Sequence, residues 1–152
     1  MRARSTIIAR HVGMAAVAAV ALATAALTLV HAQLPGVTQE LIGAGRMAFS
    51  DVTGGPADVG VARIRIDPGS SYGGWHIHPG LTWVVISGGE AALYGPDGCR
   101  TAYAAGTAYV AEANTPYDLR NEGTTPLDLA VAGVIPAGQP ATIFIDPPAV
   151  KC

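Results

Sequence analysis

Beyond residue 58 the chain sets its apolar side chains in short runs, some strictly alternating, that end at Gly, Pro, Asn or Asp. No stretch there sustains the three-to-four-residue period of an amphipathic helix, so the pattern predicts an all-β domain. Val59 to Ile66 alternates, with Val61, Arg63 and Arg65 on one face and Ala62, Ile64 and Ile66 on the other, before Asp67-Pro68-Gly69 turns the chain. Strands are expected at Trp75 to His78 and Leu81 to Ile86, split by Pro79-Gly80. Glu90 to Tyr94 and Cys99 to Tyr103 read as a hairpin about Gly95-Pro96-Asp97-Gly98. Thr107 to Val110, Tyr117 to Asn121, Leu127 to Ile135 and Ala141 to Ile145 complete the series, and shorter strands are expected near Glu40 to Ile42 and Arg46 to Phe49. Many short strands joined by tight turns predict a jelly-roll sandwich or closed barrel, the arrangements that manage exposed sheet edges.

The first 32 residues have a different character. Arg2, Arg4, Arg10 and His11 precede an uncharged apolar run from Val12 to Val30, and Val30-His31-Ala32 has the small-x-small form of a cleavage site. Residues 1–32 are therefore expected to be a signal peptide, or an N-terminal membrane anchor if retained, with residues 33–152 forming one domain in a secreted or periplasmic setting. No second span follows, so no other contact with a membrane is expected. The 120 residues of that domain suffice for a single core and not for two. They carry six basic against eleven acidic side chains, a formal charge of −5. Nucleic-acid binding needs a clustered basic face, and none is visible.

Both cysteines, Cys99 and Cys152, lie in the expected exported domain. An oxidising compartment favours a disulfide between them, although two independent thiols remain the alternative. Their spacing suggests neither a redox dithiol nor a zinc knuckle. Once His11 and His31 are set aside, the domain contains two histidines, His76 and His78. Residues i and i+2 of a strand point to the same face, so the imidazoles would project together, near enough to share a metal ion or a ligand. Two polar side chains on a half-exposed strand, without chemistry, are the plainer reading.

The segment Gly74-Trp75-His76-Ile77-His78-Pro79-Gly80, running into Val84-Val85-Ile86-Ser87-Gly88-Gly89-Glu90, resembles the first motif of the cupin superfamily. Gly106 to Asn121, containing Thr115-Pro116-Tyr117 and leading to Glu122-Gly123, resembles the second, and the likeness covers most of residues 58–145. It is similar in particular to small secreted bacterial cupins with one cysteine in the intermotif hairpin and one at the C-terminus, which implies a Cys99–Cys152 disulfide. The resemblance implies a cupin-type jelly-roll β-barrel, a homodimer, and an interior metal on three histidines and one glutamate.

This sequence departs from that ligand set. Thr82 or Trp83 stands where the glutamate would fall, and Tyr117 stands where the third histidine would be. His76 and His78 alone remain to bind a divalent transition metal. A tyrosine could replace histidine only as a phenolate, and its phenol ordinarily keeps its proton to high pH. Glu90 and Glu112 are the carboxylates nearest in sequence.

The leading expectation is thus an exported protein with a small-molecule pocket lined by His76, His78, Thr82, Trp83 and Tyr117, with little or no metal. A metal-dependent cupin enzyme of dioxygenase, isomerase or decarboxylase type is the alternative, and the fold by itself cannot choose among those reactions. Neither a Gly-x-Ser-x-Gly elbow nor a phosphate-cradling glycine motif is present.

Overall fold

From Ala62 to Ile66 every second residue is buried and those between are exposed, and the same alternation runs from Thr82 to Ile86. Both runs lie in one sheet, on either side of a shared neighbouring strand, and turn their buried side chains into the same core. The computed structural model describes residues 34–149 together with 151 and 152. The expected signal peptide, residues 1–32, lies outside the described residues.

Ten strands follow in order: β1 (Val37–Ser50), β2 (Gly55–Ile66), β3 (His76–Ile77), β4 (Leu81–Gly88), β5 (Glu90–Tyr94), β6 (Arg100–Ala104), β7 (Ala108–Ala111), β8 (Asp118–Arg120), β9 (Leu127–Pro136) and β10 (Ile143–Phe144). A five-stranded sheet has the order β1-β2-β9-β4-β7. Three strands pair as β6-β5-β8 and two as β10-β3. Isolated bridges from Ser71 to Arg120 and from His76 to Tyr117 join these two groups into a second layer. The neighbours are antiparallel and mostly distant in sequence, which is the long-range connectivity of a jelly roll.

The core lies between the layers. Ile64, Ile66, Val84, Ile86, Leu127 and Leu129 of the larger sheet meet Ala91, Leu93 and Leu119 of the smaller, with Tyr72 at one side. Burying each of these larger aliphatic side chains stabilises the fold by about 1.5–3 kcal/mol before conformational entropy is set against it.

Several boundaries differ from the sequence expectation. The two short N-terminal strands are one 14-residue strand, β1, kept in register with β2 by a bulge at Ile42 between Leu41 and Gly43. The bulge shifts the side-chain alternation by one residue, and the strand is exposed along almost its whole length, so no buried face marks it and a continuous strand looks like two. The histidine strand contracts to His76–Ile77, and the expected strand at Ala141 to Ile145 contracts to β10. Cys99 precedes β6 rather than opening it, because its N–H is held by the Asp97 carboxylate in the turn.

The last segment crosses the small layer as a strap. It pairs Ile143 with Ile77 and Phe144 with His76, and Ile145 N–H donates to the Trp75 carbonyl. The strap ends at a Cys152–Cys99 disulfide, with Cα atoms 5.0 Å apart. The amides of Lys151 and Cys152 both donate to the Asp97 carbonyl.

Candidate functional site

β3 is short because it is bounded on both sides by turns. Gly73 and Gly74 hold φ of 73° and 85°, a left-handed conformation that glycine adopts without strain. At Gly73 a Cβ would strike the Phe144 ring, so the absent side chain also makes room for the strap. After β3, Pro79-Gly80 swings the chain into β4, and Gly80 passes so close to the Val134 carbonyl that no Cβ would fit. Within these limits His76 and His78 project to the same interior side, and both are buried, at 3% and 8% exposure.

The ring centroids of the two histidines are 5.2 Å apart, edge to face. His76 Nδ1 lies 2.8 Å from the Gly74 carbonyl and His78 Nδ1 lies 2.7 Å from the Ala141 carbonyl. A carbonyl can only accept, so each Nδ1 carries the proton and donates it. Each Nε2 is left with its lone pair, the arrangement that prepares an imidazole to accept a hydrogen bond or to ligate. Burial lowers the His76 pKa to about 4; the neighbouring His78 adds to that, while the Gly74 carbonyl and the Asp118 charge oppose it. Burial also lowers the pKa of His78, against the opposing bond to Ala141. The site therefore presents two neutral acceptors at ordinary pH.

Other expected site residues are distributed unequally. Tyr117 lies directly opposite His76, with which it exchanges both backbone hydrogen bonds at 2.9 Å. Its hydroxyl accepts from the Glu112 amide at 3.4 Å, and its ring packs against the core. Thr82 is buried on the inner face of the larger sheet, between Ala111 and Gly133. Trp83 is a correction. It points outward, 38% exposed, between Val110 and Ala132, because Thr82, Val84 and Ile86 occupy the inward parity of β4.

Sequence reasoning missed the aromatic frame around the pair. Tyr72 stands edge-on to His76 at 5.3 Å and donates from its hydroxyl to Gln39. Phe144 of the strap sits 6.2 Å from the His76 ring. Tyr109, whose pKa burial raises, packs on Tyr103 at 5.0 Å. Alternation would have found Tyr109 from β7, whereas the strap's contribution depends on long-range pairing that no local pattern encodes.

The residues do not fit a metal held in the four-ligand manner. Among the described residues no third His, Cys, Asp or Glu joins the pair. Glu90 and Glu112 are both exposed, with Glu90 turned to Arg100. The site offers two imidazole nitrogens and, on the residue bridged to His76, a phenol that already accepts a backbone bond. This donor set is weak for a divalent ion.

The architecture and the interior histidine pair define a double-stranded β-helix protein, and the comparisons agree. The family model of the cupin domain matches residues 62–133. Over that stretch the chain is similar to the cupin family, and its fold is the cupin jelly roll. An uncharacterised double-stranded β-helix protein of Klebsiella pneumoniae superposes with a TM-score of 0.55 at 19% identity, over 77% of this chain and 90% of that one. A cupin superfamily protein of Desulfitobacterium hafniense gives 0.50 at 17% identity, over 70% and 84%. An oxalate decarboxylase of Lactobacillus farciminis, solved as a formate complex, gives 0.50 at 21% identity over 57% of this chain and 26% of its own length. No curated protein matches the chain in sequence.

Proposed function

We propose that this is an exported cupin that binds a small, largely apolar molecule in the barrel interior without a resident metal, its two neutral histidines accepting hydrogen bonds from the ligand. The observation that carries this reading is the use of both Nδ1 atoms by the Gly74 and Ala141 carbonyls, which leaves the two Nε2 atoms of neighbouring rings as acceptors. Tyr72, Tyr117 and Phe144 supply the aromatic surroundings in which such a ligand is desolvated. The missing carboxylate and third imidazole argue against the metal-dependent enzyme, for which the decarboxylase likeness offers only a shared fold.

The test combines metal analysis with a hydroxyl-bearing probe. The purified protein should contain metal well below one equivalent, unchanged in a His76→Ala/His78→Ala double variant. Phenol should move the His76 and His78 Cε1–H resonances in a saturable way, and toluene, which lacks the donor, should bind at least tenfold more weakly. Stoichiometric metal that the double variant loses would overturn the reading in favour of the metalloenzyme. Phenol binding that survives the double substitution would overturn the role given to the histidines.

A further inference from the structure

Behind the histidine pair, on the outer face of the small layer, lies a cleft of about 490 Å³. Its walls include Ser70, Ser71, Gly74, Asp118, Arg120 and Asn121. Asp118 follows Tyr117 in the chain and so turns to the opposite face of the strand from the residue across from His76. The volume falls within the range of small-molecule sites, about 300–1,000 Å³.

Asp118 is only 2% exposed, and its two oxygens are treated differently. Oδ2 accepts from Arg120 Nε at 2.8 Å and from Arg120 Nη2 at 2.6 Å. Oδ1 is buried and receives no hydrogen bond, the single side-chain atom in that condition among the described residues. A buried carboxylate oxygen without a donor is unfavourable, so it calls for a partner that the described residues do not supply.

The other groups in the wall narrow the partner's chemistry. Arg120 has Nη1 left over, and the Ser71 hydroxyl makes no hydrogen bond among the described residues, while the Ser70 hydroxyl is turned against Gly36. Asn121 is fully used, donating to the Ile66 and Thr125 carbonyls and accepting from Gly123. Glu122 is also engaged, accepting from Tyr94 on one oxygen and Arg100 on the other. A cation would find one free carboxylate oxygen, already neighboured by a guanidinium. An anion would face Asp118 and Glu122. What remains is a set of one acceptor, one donor and the Ser71 hydroxyl, which can do either, and this matches adjacent hydroxyl groups on a neutral molecule.

We propose that this cleft is a binding site for a neutral polyhydroxylated compound of carbohydrate type, with Asp118 Oδ1 accepting from one hydroxyl and Arg120 Nη1 donating to its neighbour. The site is independent of the interior pocket and shares only Gly74, whose carbonyl holds His76 from the other side.

Titrating the protein with methyl α-D-glucopyranoside while following backbone amide resonances tests this directly, with methylammonium, magnesium and sulfate as comparison probes. Saturable shifts are expected at residues 69–74 and 118–122 with the glucoside alone. Asp118→Asn, which replaces the unpartnered acceptor by a donor, should weaken binding at least tenfold. Ser71→Ala keeps the Asp118–Arg120 pair, serves if Asp118→Asn does not fold, and should weaken binding at least threefold. The proposal is overturned if those amides do not respond to the glucoside, if an ionic probe moves them in its place, or if a folded variant binds like the parent.

Discussion

At the scale of single residues, the i, i+2 spacing placed His76 and His78 on one buried side, because a strand's geometry leaves no alternative once the strand exists. Trp83 was not legible in the same way. Leu81 to Ile86 is apolar at every position except Thr82, so hydrophobicity favours neither parity, and the small polar residue turned out to share the inward side with Val84 and Ile86. Burial of the histidines has a consequence for acid stability. His76 holds its proton with a pKa of about 4 when folded and about 6.5 when unfolded, so between these values the unfolded chain binds more protons and folding weakens as pH falls. The full contribution is present above pH 6.5 and about 3 kcal/mol of it is gone by pH 4. His78, lowered for the same reason, adds in the same direction. Urea unfolding of the parent and a His76→Gln variant at pH 7 and pH 4 measures this; the parent should lose about 3 kcal/mol more than the variant, and equal losses would show that His76 is not held neutral by burial.

At the scale of elements, the hairpins and β2, β4 and β9 were readable from local pattern, since turn residues and alternation are encoded where they act. β3 and β10 were harder, being two residues each and defined by pairing with each other across 65 positions of sequence. The strap that carries β10 is secured at its end by the disulfide, which closes a loop with a sequence separation of 53. In the chain-entropy picture a loop of that length restricts the unfolded state by about 4 kcal/mol, and measured effects are commonly 2–4 kcal/mol. Cys152→Ser should therefore reduce the unfolding free energy by about 2–4 kcal/mol. It should also raise amide exchange at Ile145, whose hydrogen bond to Trp75 belongs to the strap, more than at Leu129 in the core. Uniform exchange at both positions would mean that the strap does not open separately from the barrel.

For the whole molecule, the question is what keeps two layers in register when most hydrogen bonds run within each. Apolar contact between inner faces holds them together, but it is non-directional and tolerates sliding. Asn121 supplies direction. It is 1% exposed, at the end of β8, and its Nδ2 donates at 2.9 Å to the carbonyl of Ile66, the last residue of β2 in the opposite layer, and at 2.9 Å to Thr125. Its Oδ1 accepts from Gly123, and its backbone amide and carbonyl pair with Ser70 and Gly69. One side chain thus joins the larger sheet, the smaller sheet and the turn leading to β9. The sequence exposed Asn121 only as the last residue of a family-like motif, because an asparagine before a Glu-Gly turn is equally at home in solvent. Asn121→Ala would remove two donors and one acceptor and leave the buried Ile66 carbonyl without its partner, an expected loss of about 3 kcal/mol or more. Asn121→Asp would keep the acceptor for Gly123 but turn a lone pair toward each carbonyl, so it should be at least as destabilising as alanine. Denaturant unfolding of both variants measures the difference, and a loss below about 1 kcal/mol for Asn121→Ala would show that packing alone sets the register of the layers.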